Sequence, residues 1–282
     1  MQLCLQKGHS RLRGPDLQEL RGKRFLVFGV ASEASIAWAV ARELASLGAS
    51  ITLGYQRRFL SRVQNIVRDQ DFIERWEECD LADEQSTQGF FTKLTGSYSG
   101  LVHSVAFAPP DALAKPIVEC TEEDFMKTLA ASAYSLLRAV RYALPKLIPG
   151  SGIVTLTYIG SERVVPGYRV MGTAKASLES LTRELAATIG PLGYRINAVS
   201  AGPMRTLAAT GIPGFERILG WVAEVSPLRR NVTQSEVARA VRFLLSEDSS
   251  AVTGQVLFAD AGYNILGAPD FGSAQFKPES PE

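Results

Sequence analysis

Histidine is scarce in this chain of 282 residues: His9 and His103 are its only two. A Ser-His-Asp nucleophile or a histidine-built metal centre therefore lacks parts, and no metal is expected. Cysteine is no more plentiful. Cys4, Cys79 and Cys120 are odd in number and far apart. They fit neither a metal-ligand spacing nor a disulfide framework, which makes a reducing cytoplasm the natural setting. No apolar run approaches the roughly 18 residues of a membrane helix, so no membrane partner is expected. A surplus of one charge is missing too. The net charge is +1, whereas a grip on nucleic acid needs a clustered basic face. Linker-like stretches and internal repeats are also absent.

What remains is apolar and well mixed: 46% hydrophobic and 21% charged residues, enough for a full core in one large α/β domain or two small ones. The first fourteen residues carry Lys7, Arg11 and Arg13 without an acid. That faintly resembles a transit peptide, but the apolar and serine-rich character is missing, and a frayed terminus is expected. The tail holds Pro269, Pro278 and Pro281 and reads as poorly packed. Residues 1–19 are thus expected to be a flexible extension, 20–268 one domain, and 269–282 a flexible tail.

Strand and helix patterns alternate along the domain. Strands are expected at 25–28, 50–55, 76–79, 101–106, 152–158, 195–200 and 255–259. Helices are expected at 36–47, 59–68, 84–94, 122–147, 170–189 and 236–245, with Pro145 in the last turn of the long one. The strand at 76–79 is weak, because Glu74, Arg75, Glu77 and Glu78 crowd it. Such alternation predicts βαβ units and a single Rossmann-type, doubly wound parallel sheet with helices on both faces. Ligands are then expected beyond the carboxyl ends of the strands.

The first strand runs into Gly29-Val30-Ala31-Ser32-Glu33-Ala34-Ser35-Ile36-Ala37. This is not G-x-G-x-x-G, yet small residues at a helix start let phosphates approach its N–H groups. A plain small-residue turn with Ser35 as N-cap fits the same residues. The second strand ends in Tyr55-Gln56-Arg57-Arg58, where a Rossmann domain meets the adenosine ribose. A carboxylate there often marks NAD; two arginines suit a 2′-phosphate, or else open a helix in solvent. Asp80-Leu81 suits an adenine contact, and Ser104-Val105-Ala106 the nicotinamide ribose.

Chemistry concentrates in TYIGSERVVPGYRVMGTAKASL, residues 157–178, which holds Tyr158, Tyr168 and Lys175. A phenol beside an ammonium is a donor to an oxygen that becomes negative, and the cation favours the phenol's anionic form. Tyr158 alone also reads as a packing aromatic, and Lys175 as a solvated helix residue. His103, on an apolar strand, reads as a satisfied core residue rather than a proton shuttle.

Together the turn from Gly29 to Ala37, His103-Ser104-Val105-Ala106-Phe107-Ala108-Pro109, Tyr158 through Lys175, Ser200-Ala201-Gly202-Pro203-Met204-Arg205-Thr206-Leu207-Ala208, and the late Asp260-Ala261-Gly262-Tyr263 closely resemble bacterial enoyl-acyl-carrier-protein reductases. These are divergent short-chain dehydrogenase/reductases of fatty-acid elongation. Ordinary members of that superfamily use Tyr-x-x-x-Lys, which would need tyrosine at 171. This chain has Met171, and its tyrosine lies a turn upstream at Tyr168, as the resemblance requires.

The resemblance implies NADH or NADPH as cofactor and hydride addition to the β-carbon of a trans-2-enoyl thioester carried by acyl carrier protein. Tyr168 would stabilise the developing enolate oxygen, Tyr158 would support it, and Lys175 would hold the nicotinamide ribose. Gly29, Ser35, Ile36, Gln56, Arg57, Asp80, Leu81, Ser104, Lys175, Met204 and Thr206 would form the cofactor site. Ala106, Phe107, Tyr158, Met171, Ala208 and Phe215 would face substrate. Gln56 leans toward NADH and the arginines toward NADPH. The segment 206–225, with glycines and a proline around an amphipathic stretch, suits a substrate-binding lid. A homotetramer packed through helices 122–147 and 170–189 is expected.

Two departures stand out. Pro213, Gly214 and Glu216 occupy a lid stretch that is basic in the family, leaving Arg217. No asparagine of the usual superfamily kind precedes Ala131-Ser132-Ala133-Tyr134-Ser135, so a proton relay would run through Lys175 and water. A different reductase of the same fold, or a catalytically silent nucleotide binder, are the other readings; the phenol–ammonium pair argues against the silent one.

Overall fold

A computed structural model describes residues 20–268. The expected flexible ends, with Cys4 and His9, lie outside the described residues. Seven strands form one parallel sheet: β1 (Arg24–Phe28), β2 (Ser50–Tyr55), β3 (Ile73–Glu78), β4 (Tyr98–His103), β5 (Leu147–Thr157), β6 (Arg195–Ala201) and β7 (Val256–Ala259), in the order β3-β2-β1-β4-β5-β6-β7. The main helices are α1 (Ile36–Ser46), α2 (Leu60–Val67), α3 (Glu84–Thr92), α4 (Pro110–Ala114), α5 (Glu122–Leu129), α6 (Ser135–Ala143), α7 (Val170–Ile189), α8 (Phe215–Val225) and α9 (Gln234–Leu245).

The continuous apolar runs of the central strands exist because both faces are covered. Phe25 and Val27 of β1 pack with α1, α2 and α9. Leu26 and Phe28, one residue out of phase, pack with α3, α6 and α7. Each such side chain contributes about 1.5–3 kcal/mol by leaving water. β3 is an edge strand of mixed burial. Its charges are taken up in pairs, Arg24 with Glu74 at 2.7 Å and Lys93 with Glu77 at 3.1 Å. Charge on an exposed edge also discourages pairing with another chain.

Winding reverses between β1 and β4, whose ends Phe28 and His103 stand in register. A crevice opens beyond the carboxyl ends at such a switch point.

The structure corrects the sequence reading at four places; one is β4, which runs Tyr98–His103 rather than 101–106. β3 begins at Ile73 rather than 76, because burial on an edge strand is too mixed for a clean alternation. The expected long helix 122–147 is α5, a five-residue π turn at Ala130–Tyr134, α6, and a tight turn at Leu144–Lys146 containing Pro145. β5 accordingly starts at Leu147. Finally, the short α4 has no counterpart among the expected elements.

Candidate active site

The carboxyl ends of β1, β4, β5 and β6 open into one cavity of about 540 Å³. Its walls are mostly apolar, and its two ends differ in chemistry.

The first end lies under the turn after β1. Gly29 adopts φ +108°, and a Cβ there would lie 2.0 Å from the Ser104 carbonyl oxygen. Only glycine lets the turn cross the end of β4 so closely. Ser35 precedes α1, and its hydroxyl accepts the N–H groups of Ala31 and Ser32 at 3.0 and 2.9 Å. The hydroxyl thus braces the loop instead of capping its own helix. The first N–H groups of α1, on Ile36 and Ala37, take no acceptor from the described chain. That is the anion-accepting end of a helix.

Gln56 follows β2 and organises the neighbouring wall. Its amide nitrogen donates to Asp80 Oδ1 at 3.0 Å, and its Oε1 accepts from Arg58 Nε and Nη2 at 3.0 and 2.7 Å. Arg58 also lies over the Phe59 and Phe107 rings at 4.8 and 5.0 Å. Two residues expected at this end stand off the cavity wall. Arg57 is exposed and does not line the cavity; Arg58 does. Both sit in a single 3₁₀ turn, where successive residues point about 120° apart, so only one can face inward. Asp80 stands behind Gln56 rather than on the cavity wall, while Leu81 reaches the wall.

At the other end stand Tyr158, after β5, and Tyr168, just before α7. Their rings meet edge-on, with centroids 5.0 Å apart and planes at 70°. Gly160 makes room for this, since a Cβ there would press to 2.5 Å from the Tyr168 ring. Neither phenol oxygen hydrogen-bonds any other described residue, and both side chains line the cavity. Arg169, at φ 47°, anchors the turn by donating Nε to the Leu113 carbonyl at 2.7 Å. Lys175 is 5% exposed and donates Nζ to the Leu156 carbonyl at 2.7 Å. Burial pushes its ammonium down to about 8, with Glu179 opposing.

The electrostatics differ from the sequence expectation. The Tyr168 phenol is pushed up, not down, first by burial and then by neighbouring Tyr158 and Glu179. Tyr158 is raised too, again mainly by burial. Lys175 does not draw either toward phenolate. Each is a neutral hydroxyl available as a hydrogen-bond donor in a low-dielectric cavity, where a donor aimed at developing negative charge is strongest. His103 is fully buried, with its ring nitrogens 2.9 Å from the Thr155 and Ser135 hydroxyls, and burial lowers it to about 3. It is a satisfied core residue.

Ser104, Ala106 and Phe107 after β4, Met171 on α7, Met204, Thr206 and Ala208 after β6, and Phe215 on α8 all line the cavity. The α8 segment buries Leu219, Val222 and Val225 below, while Ile218 joins Phe215 over the cavity. An exposed ion pair, Arg205 to Glu216 at 2.9 Å, links the turn after β6 to α8.

Sequence reasoning missed Leu113, Val165 and Ile212, which pack with Tyr168 and Tyr158 at the apolar end. Each lies in a loop or a very short helix, where periodicity is silent. It also missed the role of Ser132, whose hydroxyl sits 2.9 Å from both the N–H and the carbonyl of Phe107. Ser132 belongs to the π turn, a local widening often found at functional sites. Among the described residues no group of three or more His, Cys, Asp or Glu could hold a metal ion, and no helix is long and apolar enough to cross a membrane.

Known proteins resemble this chain in sequence and fold. The family model described as Enoyl-(Acyl carrier protein) reductase matches residues 29–264. The enoyl-acyl-carrier-protein reductase (NADH) of Bacillus cereus is 40% identical over 258 residues, covering 89% of this chain and 100% of that protein. The Escherichia coli enzyme of the same name is 40% identical over 253 residues, covering 87% and 95%. The crystal structure of the Bacillus cereus enoyl-acyl carrier protein reductase with NADP+ and indole naphthyridinone has a TM-score of 0.86 at 39% identity, covering 89% of this chain and 100% of that one.

Proposed function

The chain belongs to the enoyl-(acyl carrier protein) reductase family, and from that premise we propose that it reduces the trans-2 double bond of enoyl thioesters on acyl carrier protein with NADH or NADPH. One observation carries the site assignment: two neutral phenols without protein partners face an apolar cavity beside a buried lysine.

The residues present fit a dinucleotide. The unspent N–H groups at the start of α1 and the small-residue turn at Gly29 suit its diphosphate, with Ser35 bracing that turn. Gln56 and Leu81 suit the adenosine end, Ser104, Met204 and Thr206 the nicotinamide end. When bound, the cofactor supplies a hydride to the substrate's β-carbon.

The chain's own residues do the rest. Tyr168 donates its hydroxyl to the thioester oxygen as negative charge gathers there, and Tyr158 supports the same oxygen from the facing wall. Lys175 presents its ammonium to the ribose hydroxyls of the cofactor. Ala106, Phe107, Met171, Ala208 and Phe215 enclose the acyl chain and exclude water. For NADPH, Arg58, which lines the cavity while Arg57 does not, would meet the 2′-phosphate. Acyl carrier protein approaches by the α8 lid, where Arg217 is exposed while Arg205 is engaged by Glu216. The enzyme works in the cytoplasm as a homotetramer.

The test is purified protein with a trans-2-enoyl thioester and NADH or NADPH in parallel, followed by loss of reduced-nicotinamide absorbance. Consumption with an enoyl substrate is expected. Cofactor binding without consumption would overturn the assignment.

A further inference from the structure

A carboxylate inside a protein is costly unless something holds it. Glu179 is 5% exposed, on α7, one helical turn beyond Lys175. Its Oε1 accepts the hydroxyl of Thr157 at 2.5 Å. Thr157 is the last residue of β5 and lines the cavity. The residue before it, Leu156, offers the carbonyl that takes Lys175 Nζ. Two successive turns of α7 therefore bring a cation and an anion to two successive residues at the end of β5. The cation binds the strand's carbonyl and the anion its hydroxyl, so neither is spent on the other.

We propose that Glu179 is a positioning residue of the reductase site, which keeps Lys175 an ammonium within a solvent-free wall and fixes the end of β5 through Thr157. The proposal rests on the reading that Lys175 meets the cofactor ribose. In the assigned chemistry Glu179 touches neither substrate nor cofactor; it acts through Lys175.

The surroundings leave this work to Glu179. From β4, His103 faces the same interior but is neutral, being held at about 3. Tyr158 after β5 and Tyr168 before α7 are neutral phenols, both raised by burial. Asp260, after β7, acts on Tyr158 and spends its oxygens on the Gly262 and Asn264 N–H groups and the Asn264 amide. Against the burial that pushes Lys175 down to about 8, Glu179 is the opposing charge.

The sign follows directly. Lys175 is charged below its folded value, so its grip on the ribose is present at neutral pH and lost as pH rises through about 8. Removing the Glu179 charge leaves burial unopposed and moves that loss to lower pH, by about one pH unit.

The experiment is titration of NADH binding to the full-length protein by nicotinamide fluorescence, from neutral to alkaline pH. Wild type should weaken as pH rises through about 8, and folded Glu179→Gln should weaken about one pH unit earlier. Thr157→Val, which keeps both charges but releases the carboxylate, should move the loss away from its wild-type pH and serves if Glu179→Gln does not fold. In Lys175→Met the alkaline loss should disappear, and adding Glu179→Gln should not restore it. An alkaline loss that coincides with wild type in either folded variant would overturn the proposal. Wild-type protein that binds neither NADH nor NADPH would instead overturn the cofactor reading on which it rests.

Discussion

Replacing Tyr168 by phenylalanine isolates one hydroxyl. The ring keeps its edge-on contact with Tyr158 and its packing against Leu113 and Met171. The lost oxygen has no hydrogen bond to any other described residue, so folding gives up nothing. Stability should not fall below that of wild type, because the ring packing is kept and no hydrogen bond is lost. Catalysis loses a donor to an oxygen that becomes anionic. Such a bond is worth about 1.5–3 kcal/mol, which at about 1.4 kcal/mol per tenfold predicts kcat lower by roughly 10- to 150-fold. Because burial holds this phenol well above its ordinary value, the loss should be the same at every working pH. Steady-state rates with an enoyl thioester give kcat, and fluorescence titration gives the NADH dissociation constant, which should not change. A kcat within about threefold of wild type would refute the reasoning, because it would place the developing charge beyond the reach of Tyr168.

Arg58→Ala should raise KM for NADPH by about three- to tenfold, a modest effect because the side chain is exposed. NADH should be nearly unaffected, and Arg57→Ala should change neither; parallel kinetics with the two cofactors decide this. Gly29→Ala should cost about 2 kcal/mol or more, combining the φ penalty with the overlap on the Ser104 carbonyl. Urea unfolding reads that cost, and cofactor affinity should fall with it. His103 supplies a pH prediction. Its folded value of about 3 lies below its unfolded value of 6.5, so its contribution is full above 6.5 and is lost as pH falls toward 3. Wild type should therefore lose more unfolding free energy over that interval than His103→Gln, which cannot take up the proton.

Much of the fold was legible because its signals are local. β2 and α7 have the bounds expected from sequence, Ser50–Tyr55 and Val170–Ile189, since a buried strand and a long amphipathic helix each declare themselves within one window. β3 was blurred by Glu74 and Glu77, whose partners Arg24, Arg75 and Lys93 compensate charges that look foreign to a strand. The interruption of helix 122–147 left no mark, because Ala130 to Tyr134 suit an α-helix equally well. Arg57 was favoured over Arg58 because sequence does not tell which way a single 3₁₀ turn faces.

The sequence by itself determined the strand–helix alternation, the small-residue turn at Gly29, and the spacing that sets Tyr168 and Lys175 two turns apart. These depend on neighbours within a few residues, where backbone period and side-chain polarity suffice. Only the tertiary structure decided the chemistry those residues can perform. Thr157 meets Glu179 across 22 residues, Phe107 meets Ser132 across 25, and Arg169 meets Leu113 across 56. Through such contacts the structure leaves both phenols neutral and unpartnered, lowers Lys175, and buries a carboxylate behind it. A pKa and a free hydroxyl are properties of surroundings, and packing assembles those surroundings from distant parts of the chain.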